Sequence, residues 1–183
     1  SYSIKKKYVF ERGDVSDFKT MVHLIEKYKP KVIFHTAAVP VSKVQNPNIS
    51  EFRKGSLDTT INILDCVDFL QRRKLFKLDR FLYISSSMVY GNFKKKKALE
   101  NDNTNPIEIY GTLKLAGEVI TKGVSNSYSI PYTIIRPSAV YGPTDMNERV
   151  TQYFLNKSSQ AEPIQIHGKD EKLDFTFIND IAD

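Results

Sequence analysis

Short β-branched or aromatic runs alternate with helical stretches along this chain, and that alternation limits the fold more than any other feature. Tyr8-Val9-Phe10-Glu11, Val32-Ile33-Phe34-His35, Arg80-Phe81-Leu82-Tyr83-Ile84 and Tyr132-Thr133-Ile134-Ile135 each read as a strand. Between the first two, Phe18, Met21, Val22, Ile25 and Tyr28 follow the i, i+3, i+4, i+7 spacing of a helix, with Ser16 or Asp17 as its cap and Pro30 as its stop. A second helix is predicted over about Thr59 to Gln71, with Ile61, Leu64, Val67 and Leu70 facing inward. A third is predicted over about Tyr110 to Lys122, with Leu113, Ala116, Gly117 and Ile120 inward. The pattern is β-α-β-α-β-α-β, an α/β chain. Such a chain pairs its strands in parallel, because a parallel strand needs a crossover long enough to hold a helix.

In open parallel sheets a ligand lies beyond the carboxyl ends of the strands. The segments that follow the strands are Gly13-Asp14-Val15, Thr36-Ala37-Ala38, Ser85-Ser86-Ser87 and Arg136-Pro137-Ser138, all small or polar enough for a ligand to approach the backbone. No internal repeat or linker interrupts the first 145 residues. After Gly142-Pro143 the pattern loosens, which marks the start of a second lobe: 1–145 as one partial domain, 146–183 as the opening of another.

Composition removes several other classes. The chain has 183 residues, 40% of them hydrophobic, with 11 Phe and 10 Tyr, too apolar for disorder and long enough for one core. Its single cysteine, Cys66, allows no internal disulfide and falls in a helical stripe as a core residue. No run approaches the roughly 18 apolar residues of a membrane span. The Lys5-Lys6-Lys7 opening leads into strand-like sequence, not into a signal peptide's apolar core. A cytoplasmic location and no membrane partner are therefore expected.

The net charge of +6 owes much to Lys94 to Lys97, set among Gly91, Asn92, Asn101, Asp102 and Asn103. That block reads as a solvated loop, and no nucleic-acid partner is expected. His23, His35 and His167 lack ligand spacing, so no metal site is expected.

The chemistry begins at Tyr110 and Lys114, four residues apart on one helix face. A cation beside a phenol favours the phenolate and turns it into a proton acceptor. Tyr2/Lys6 and Tyr90/Lys94 share the spacing, but the former precedes any element and the latter ends in the lysine block. Ser85-Ser86-Ser87 follows a strand, where a hydroxyl could bond a substrate oxygen beside that phenol. It lacks the G-x-S-x-G elbow of a hydrolase nucleophile.

Taken in order, six segments resemble the extended short-chain dehydrogenase/reductase family, the NAD-dependent sugar epimerase/dehydratase group. They are Gly13 to Asp17, Val32 to Ala38, Ile84 to Gly91, Tyr110 with Lys114, Ile135 to Pro143, and Asp174 to Ala182. The resemblance implies a Rossmann-like, doubly wound parallel sheet truncated at both ends. It implies Tyr110 as acid/base, Lys114 as ligand of the nicotinamide ribose, and Ser86, four residues before Tyr90, as the hydroxyl partner. Asp14 and Val15 would meet the adenine, and Ala37, Ala38 and Pro137 would line the NAD cleft, with NADP left open. Ser87 and Ser138 would join Ser86 on the substrate side. The implied reaction is epimerisation of a sugar, most naturally as its nucleoside diphosphate, through hydride transfer and a keto intermediate. The implied assembly is a homodimer of the full-length protein, paired through the helices of Ile61 to Leu70 and Tyr110 to Lys122. The alternatives are another enzyme of the same fold (4,6-dehydratase, reductase or decarboxylase) or a non-catalytic NAD(P)-fold binding protein.

Several positions depart from that group. None of the 8 glycines forms the family's glycine-rich turn, so the chain reads as an internal fragment that is inactive alone. By the resemblance, its first strand would then lack a neighbour and its second would present an open edge. Ser87-Met88 stands where dehydratases place Asp-Glu, and a thioether cannot shuttle a proton. Leu173 stands where the family holds a substrate diphosphate with Arg, Ala139 where it often has Asn, and Ser56 where an Asn opens the second helix.

Overall fold

The computed structural model describes residues 8–39, 48–93, 97–143, 149–168 and 173–182. Lys5 to Lys7, Lys94 to Lys96 and the Tyr2/Lys6 pair lie outside the described residues, as does the lysine of Tyr90/Lys94. In chain order come α1 (Phe18–Tyr28), β1 (Val32–His35), α2 (Ile49–Phe52), a π-helical turn (Arg53–Asp58), α3 (Thr59–Arg72), β2 (Arg80–Ile84), a 3-10 helix (Ser87–Tyr90), α4 (Ile109–Tyr128), β3 (Tyr132–Ile135), β4 (Ala139–Tyr141), α5 (Val150–Ser159), β5 (Phe175–Phe177) and α6 (Ile178–Ala182).

β1, β2 and β3 form a parallel sheet in that order, and β4 pairs in parallel with β5 in a second, two-stranded sheet. Register puts Ile33, Phe81 and Tyr132 in one row and His35, Tyr83 and Ile134 in the next. Those rows face the helices and join Met21, Ile25, Leu64, Cys66, Val67 and Leu70 in the core. Burying each large apolar side chain there contributes roughly 1.5–3 kcal/mol. Crossovers of one hand that progress in one direction leave their helices on one face. Accordingly α1 packs on α3 and α3 on α4. The alternate residues of the strands, Val32, Phe34, Leu82, Ile84, Thr133 and Ile135, point the other way, and Phe34 is 65% exposed.

Local signals set the element ends. Asp17 caps α1 by accepting from the Lys19 N–H, and Lys29, in the left-handed region at φ 44°, closes it before Pro30. Asn48 caps α2 in the same way through the Ser50 N–H. The helical run then continues unbroken into α3, ten residues earlier than the sequence pattern begins it, because Gly55 and Ser56 weaken helix propensity and conceal the run. Its π-helical turn is where Thr59 and Thr60 donate their hydroxyls back to the Ser56 carbonyl, at 3.1 and 2.7 Å.

Two expectations are corrected. Tyr8 to Glu11 forms no strand and joins no ladder among the described residues, and Tyr8, Val9 and Phe10 are exposed. A strand is made by its partner, and none is described beside it. Ile61 points outward at 40% exposure, and Ile63 takes the inward place expected of it. The Rossmann-like parallel sheet is present as expected of a doubly wound fold truncated at both ends, and among the described residues its three strands carry helices on one face.

Candidate active site

The three parallel strands deliver their following segments to one edge of the sheet: Ala37 and Ala38 after β1, Ser85 to Ser87 after β2, Pro137 and Ser138 after β3. The Ser85 N–H donates to the Ile135 carbonyl at 2.7 Å and the Ser87 N–H to the Pro137 carbonyl at 2.9 Å, so pairing continues past the strands and brackets Ser86. Ser86 caps the 3-10 helix, its Oγ accepting from the Met88 N–H at 3.2 Å. Ser85 is turned away into the core, which leaves Ser86 and Ser87 as the half-buried hydroxyls of the run.

Helix α4 brings Tyr110 and Lys114 against this segment. Gly111 allows the approach: a Cβ there would lie 2.6 Å from the Met88 carbonyl oxygen. One turn on, Lys114 is only 5% exposed and its Nζ donates to the Ile84 carbonyl at 2.7 Å. Gly117 repeats the device, since a Cβ there would meet the Tyr83 Oη at 2.0 Å. Ser86, Tyr110 and Lys114 are thus gathered where the start of α4 crosses the end of β2.

Burial lowers the Lys114 pKa to about 8. Lys114 in turn adds to the burial that lowers His35 to about 4. The Tyr110 phenol is raised by burial, and the cation that pulls it back is Arg149, beside α5. The expectation that Lys114 lowers the phenol is therefore not met in this arrangement: its ammonium is turned to the Ile84 carbonyl, 5.8 Å from the Tyr110 ring centroid. Tyr153 and Lys157 on α5 also show the four-residue spacing, with Nζ 6.0 Å from the ring, but that ammonium pairs with Glu162.

The remaining site residues sit around the same edge. The Asp14 carboxylate accepts from the Ser16 N–H at 2.8 Å and the Ser16 hydroxyl at 2.7 Å, which holds it below the usual range. The Val15 carbonyl accepts from Asn62 at 2.6 Å and so ties the Asp14 turn to α3. Ala37 and Ala38 are half-buried, and Val39 next to them packs on Gly55 beside the buried Ser56. The Ser138 carbonyl accepts from Val140 at 2.9 Å. Away from this edge, a 340 Å³ cavity lies between Val140, Arg149, Thr151, Leu173 and Phe175. A second, of 290 Å³, lies between Tyr141, Gln152, Leu155 and Phe177. Neither is lined by Ser86, Tyr110 or Lys114.

Sequence reasoning passed over Glu118. It is fully buried, accepts from Ser85 Oγ at 2.6 Å, and takes a fork from Arg136, Nε at 2.8 Å and Nη2 at 2.7 Å. Burial pushes its carboxyl up, but the bonds from Arg136 and Ser85 outweigh that and hold it down. Its place one turn beyond Lys114 and two beyond Tyr110 was the available signal.

Parallel strands, crossover helices on one face and a polar cluster at the carboxyl edge define a Rossmann-like α/β protein. Residues 2–183 match the NAD dependent epimerase/dehydratase family, and the chain belongs to that family. It is similar to an uncharacterized UDP-glucose epimerase of Bacillus subtilis (strain 168), 31% identical over 81% of this chain and 46% of that protein. It is also similar to the dTDP-D-glucose 4,6-dehydratase of Homo sapiens, 26% identical over 99% of this chain and 50% of the relative. Among solved structures, UDP-glucuronic acid 4-epimerase from Bacillus cereus, in complex with UDP-glucuronic acid and NAD, matches at 27% identity and TM-score 0.77, over 90% of this chain and 51% of that one. UDP-glucose 4-epimerase from Thermotoga maritima with UDP-glucose has the same fold, at TM-score 0.83 and 22% identity over 95% and 56% of the two chains. The chain spans about half the length of the relatives it matches. Among the described residues no helix is long and apolar enough to cross a membrane.

Proposed function

We propose that the protein is an NAD-dependent epimerase of a nucleotide sugar, with Tyr110 as acid/base, Lys114 as ribose ligand and Ser86 as the hydroxyl partner. The observation that carries the reading is the convergence of these three residues where α4 crosses the end of β2, in a chain of this family. Lys114 fits the cofactor: among the described residues its buried ammonium has one hydrogen-bond acceptor, the Ile84 carbonyl, so two N–H groups are left for the paired hydroxyls of a ribose. Ala37, Ala38 and Pro137 would line the cleft, with Asp14 and Val15 at the adenine and Ser56 beneath. NAD supplies the hydride acceptor when bound.

The chain's own residues do the rest. Tyr110 Oη accepts the proton of a sugar hydroxyl and later returns it, while Ser86 Oγ holds the same oxygen in line. Ser87 and Ser138 contact the sugar. Epimerisation is favoured over dehydration because Met88, which follows Ser87, offers no group for eliminating water. Residues 1–145 would form the partial NAD-binding domain and 146–183 the opening of the substrate lobe. A cytoplasmic homodimer belongs to the same reading; it would pair through α3 and α4, whose Ile61 and Val119 are exposed.

The test is to incubate the intact protein with NAD and UDP- or dTDP-hexoses and to follow the products by mass spectrometry and chromatography. A new sugar of unchanged mass supports epimerisation; loss of one water overturns it in favour of a dehydratase. Tyr110→Phe should cut turnover by on the order of a hundredfold or more and leave NAD affinity intact. Unchanged turnover would remove Tyr110 from the chemistry.

A further inference from the structure

Arg136 sits between Ile135 and Pro137, whose carbonyls accept from the N–H groups of Ser85 and Ser87. By the register of β2 and β3 it therefore stands opposite Ser85, the residue before Ser86, at the point where the paired backbones pass beyond the two strands. Its guanidinium uses four of its five N–H groups: Nε and Nη2 on Glu118, and Nη1 on the Tyr90 hydroxyl at 2.8 Å and the Glu100 carbonyl at 3.1 Å. Glu118 closes the circuit by accepting from Ser85 Oγ. One ion pair thus joins the catalytic helix α4, the residue before Ser86, the end of the 3-10 helix that Ser86 caps, and the loop that contains Glu100.

A buried ion pair is an expensive way to gain stability. Both charges must be desolvated, and a well-packed apolar pair of similar volume often serves as well. What an apolar pair cannot supply is a planar fork of fixed direction. We propose that the Glu118–Arg136 pair is a positioning device that holds Ser86 in place against Tyr110 and Lys114. Glu118 and Arg136 touch no reacting atom. They act through Ser85 and Tyr90, which flank Ser86 along the chain.

The inference rests on the proposed role of Ser86, and its test separates the two. Ser85→Ala and Tyr90→Phe each remove one bond from the network and leave the ion pair intact, so both variants should fold with melting temperatures close to the parent's. In the intact protein each should lower kcat by on the order of ten- to a hundredfold, with KM and NAD affinity nearly unchanged, because displacing a reacting group by a fraction of an ångström acts on the chemical step. Hydrogen exchange at the Ser87 and Met88 amides should quicken in both, while exchange elsewhere in the sheet stays the same. Arg136→Lys, which keeps the charge and loses the fork, should behave like the single-bond variants and not restore the parent rate. Unchanged kcat and unchanged exchange at Ser87 and Met88 in folded Ser85→Ala and Tyr90→Phe would overturn the proposal. If instead Tyr110→Phe retained turnover, the functional reading would fall, and the exchange data alone would still decide whether the pair positions Ser86.

Discussion

The Nζ of Lys114 donates to the carbonyl oxygen of Ile84 at 2.7 Å, so the ammonium proposed to hold a ribose is anchored to the strand that leads into Ser86. Lys114→Met removes that anchor along with the charge, while its unbranched chain still fills the space. Calorimetric titration should show NAD affinity falling by about tenfold or more, the loss of a charge-assisted bond. Equal affinity in parent and variant would refute the ribose contact.

His35 gives the fold a pH dependence. It lies between Phe81 and Tyr83, and its Nε2 donates to Thr60 Oγ1 at 3.0 Å, because that hydroxyl gives its own proton to the Ser56 carbonyl. Burial, and then the nearby Lys114, lower its pKa from 6.5 to about 4. Between those values the unfolded chain binds a proton that the folded chain refuses. The contribution is therefore fully present above pH 6.5 and falls away towards pH 4, by a few kcal/mol in all. Urea melts of His35→Gln at a series of pH values should lack this component; an identical slope in parent and variant would contradict the assignment.

Gly111→Ala should destabilise the protein. Alanine at a helix position ordinarily gains up to about 1 kcal/mol over glycine. Here its Cβ would lie 2.6 Å from the backbone oxygen of Met88, and displacing backbone costs roughly 1–3 kcal/mol. Thermal denaturation reads the sign directly, and a rise in Tm would mean that α4 can lift off the 3-10 helix without penalty.

Cys66 should stay unreactive in the native state. It is fully buried, and burial together with Asp65 and Asp17 raises its thiol pKa to about 12. Labelling by a disulfide reagent should follow unfolding, rising with denaturant, and stoichiometric labelling in native buffer would count against this core.

β1, β2 and β3 were legible to the residue, because their β-branched and aromatic runs end at polar or small neighbours. α1, α3 and α4 were legible from periodicity, although α4 runs on to Tyr128; α5 and α6 were not read as helices, and the stretch before Thr59 was hidden, with Asn48 as its cap and Gly55 with Ser56 disguising the run. β4 and β5, three residues each, are too short to show a period and were seen only as motif residues. Tyr8 to Glu11 shows the converse, a strand-like run in which propensity found no ladder among the described residues. At the candidate site the Tyr110/Lys114 spacing was readable along the chain. The Glu118–Arg136 fork was not, since eighteen residues separate partners that only the crossover brings together.

The alternation of faces in the three strands also governs where the chain can change length. One residue inserted in Val32–His35, Arg80–Ile84 or Tyr132–Ile135 would rotate the remainder of that strand by half a turn, bringing Phe34 or Leu82 to the helices and turning His35 or Tyr83 outward. It would also shift the segment beyond the strand out of step with its neighbours, so Ser85 would no longer lie opposite Arg136. Insertions and deletions should therefore be tolerated in exposed turns such as Arg73 to Leu75 and selected against within the strands. In a survey of natural variants, the spacing from Arg80 to Ser86 and from Tyr132 to Pro137 should hold constant even where side chains drift.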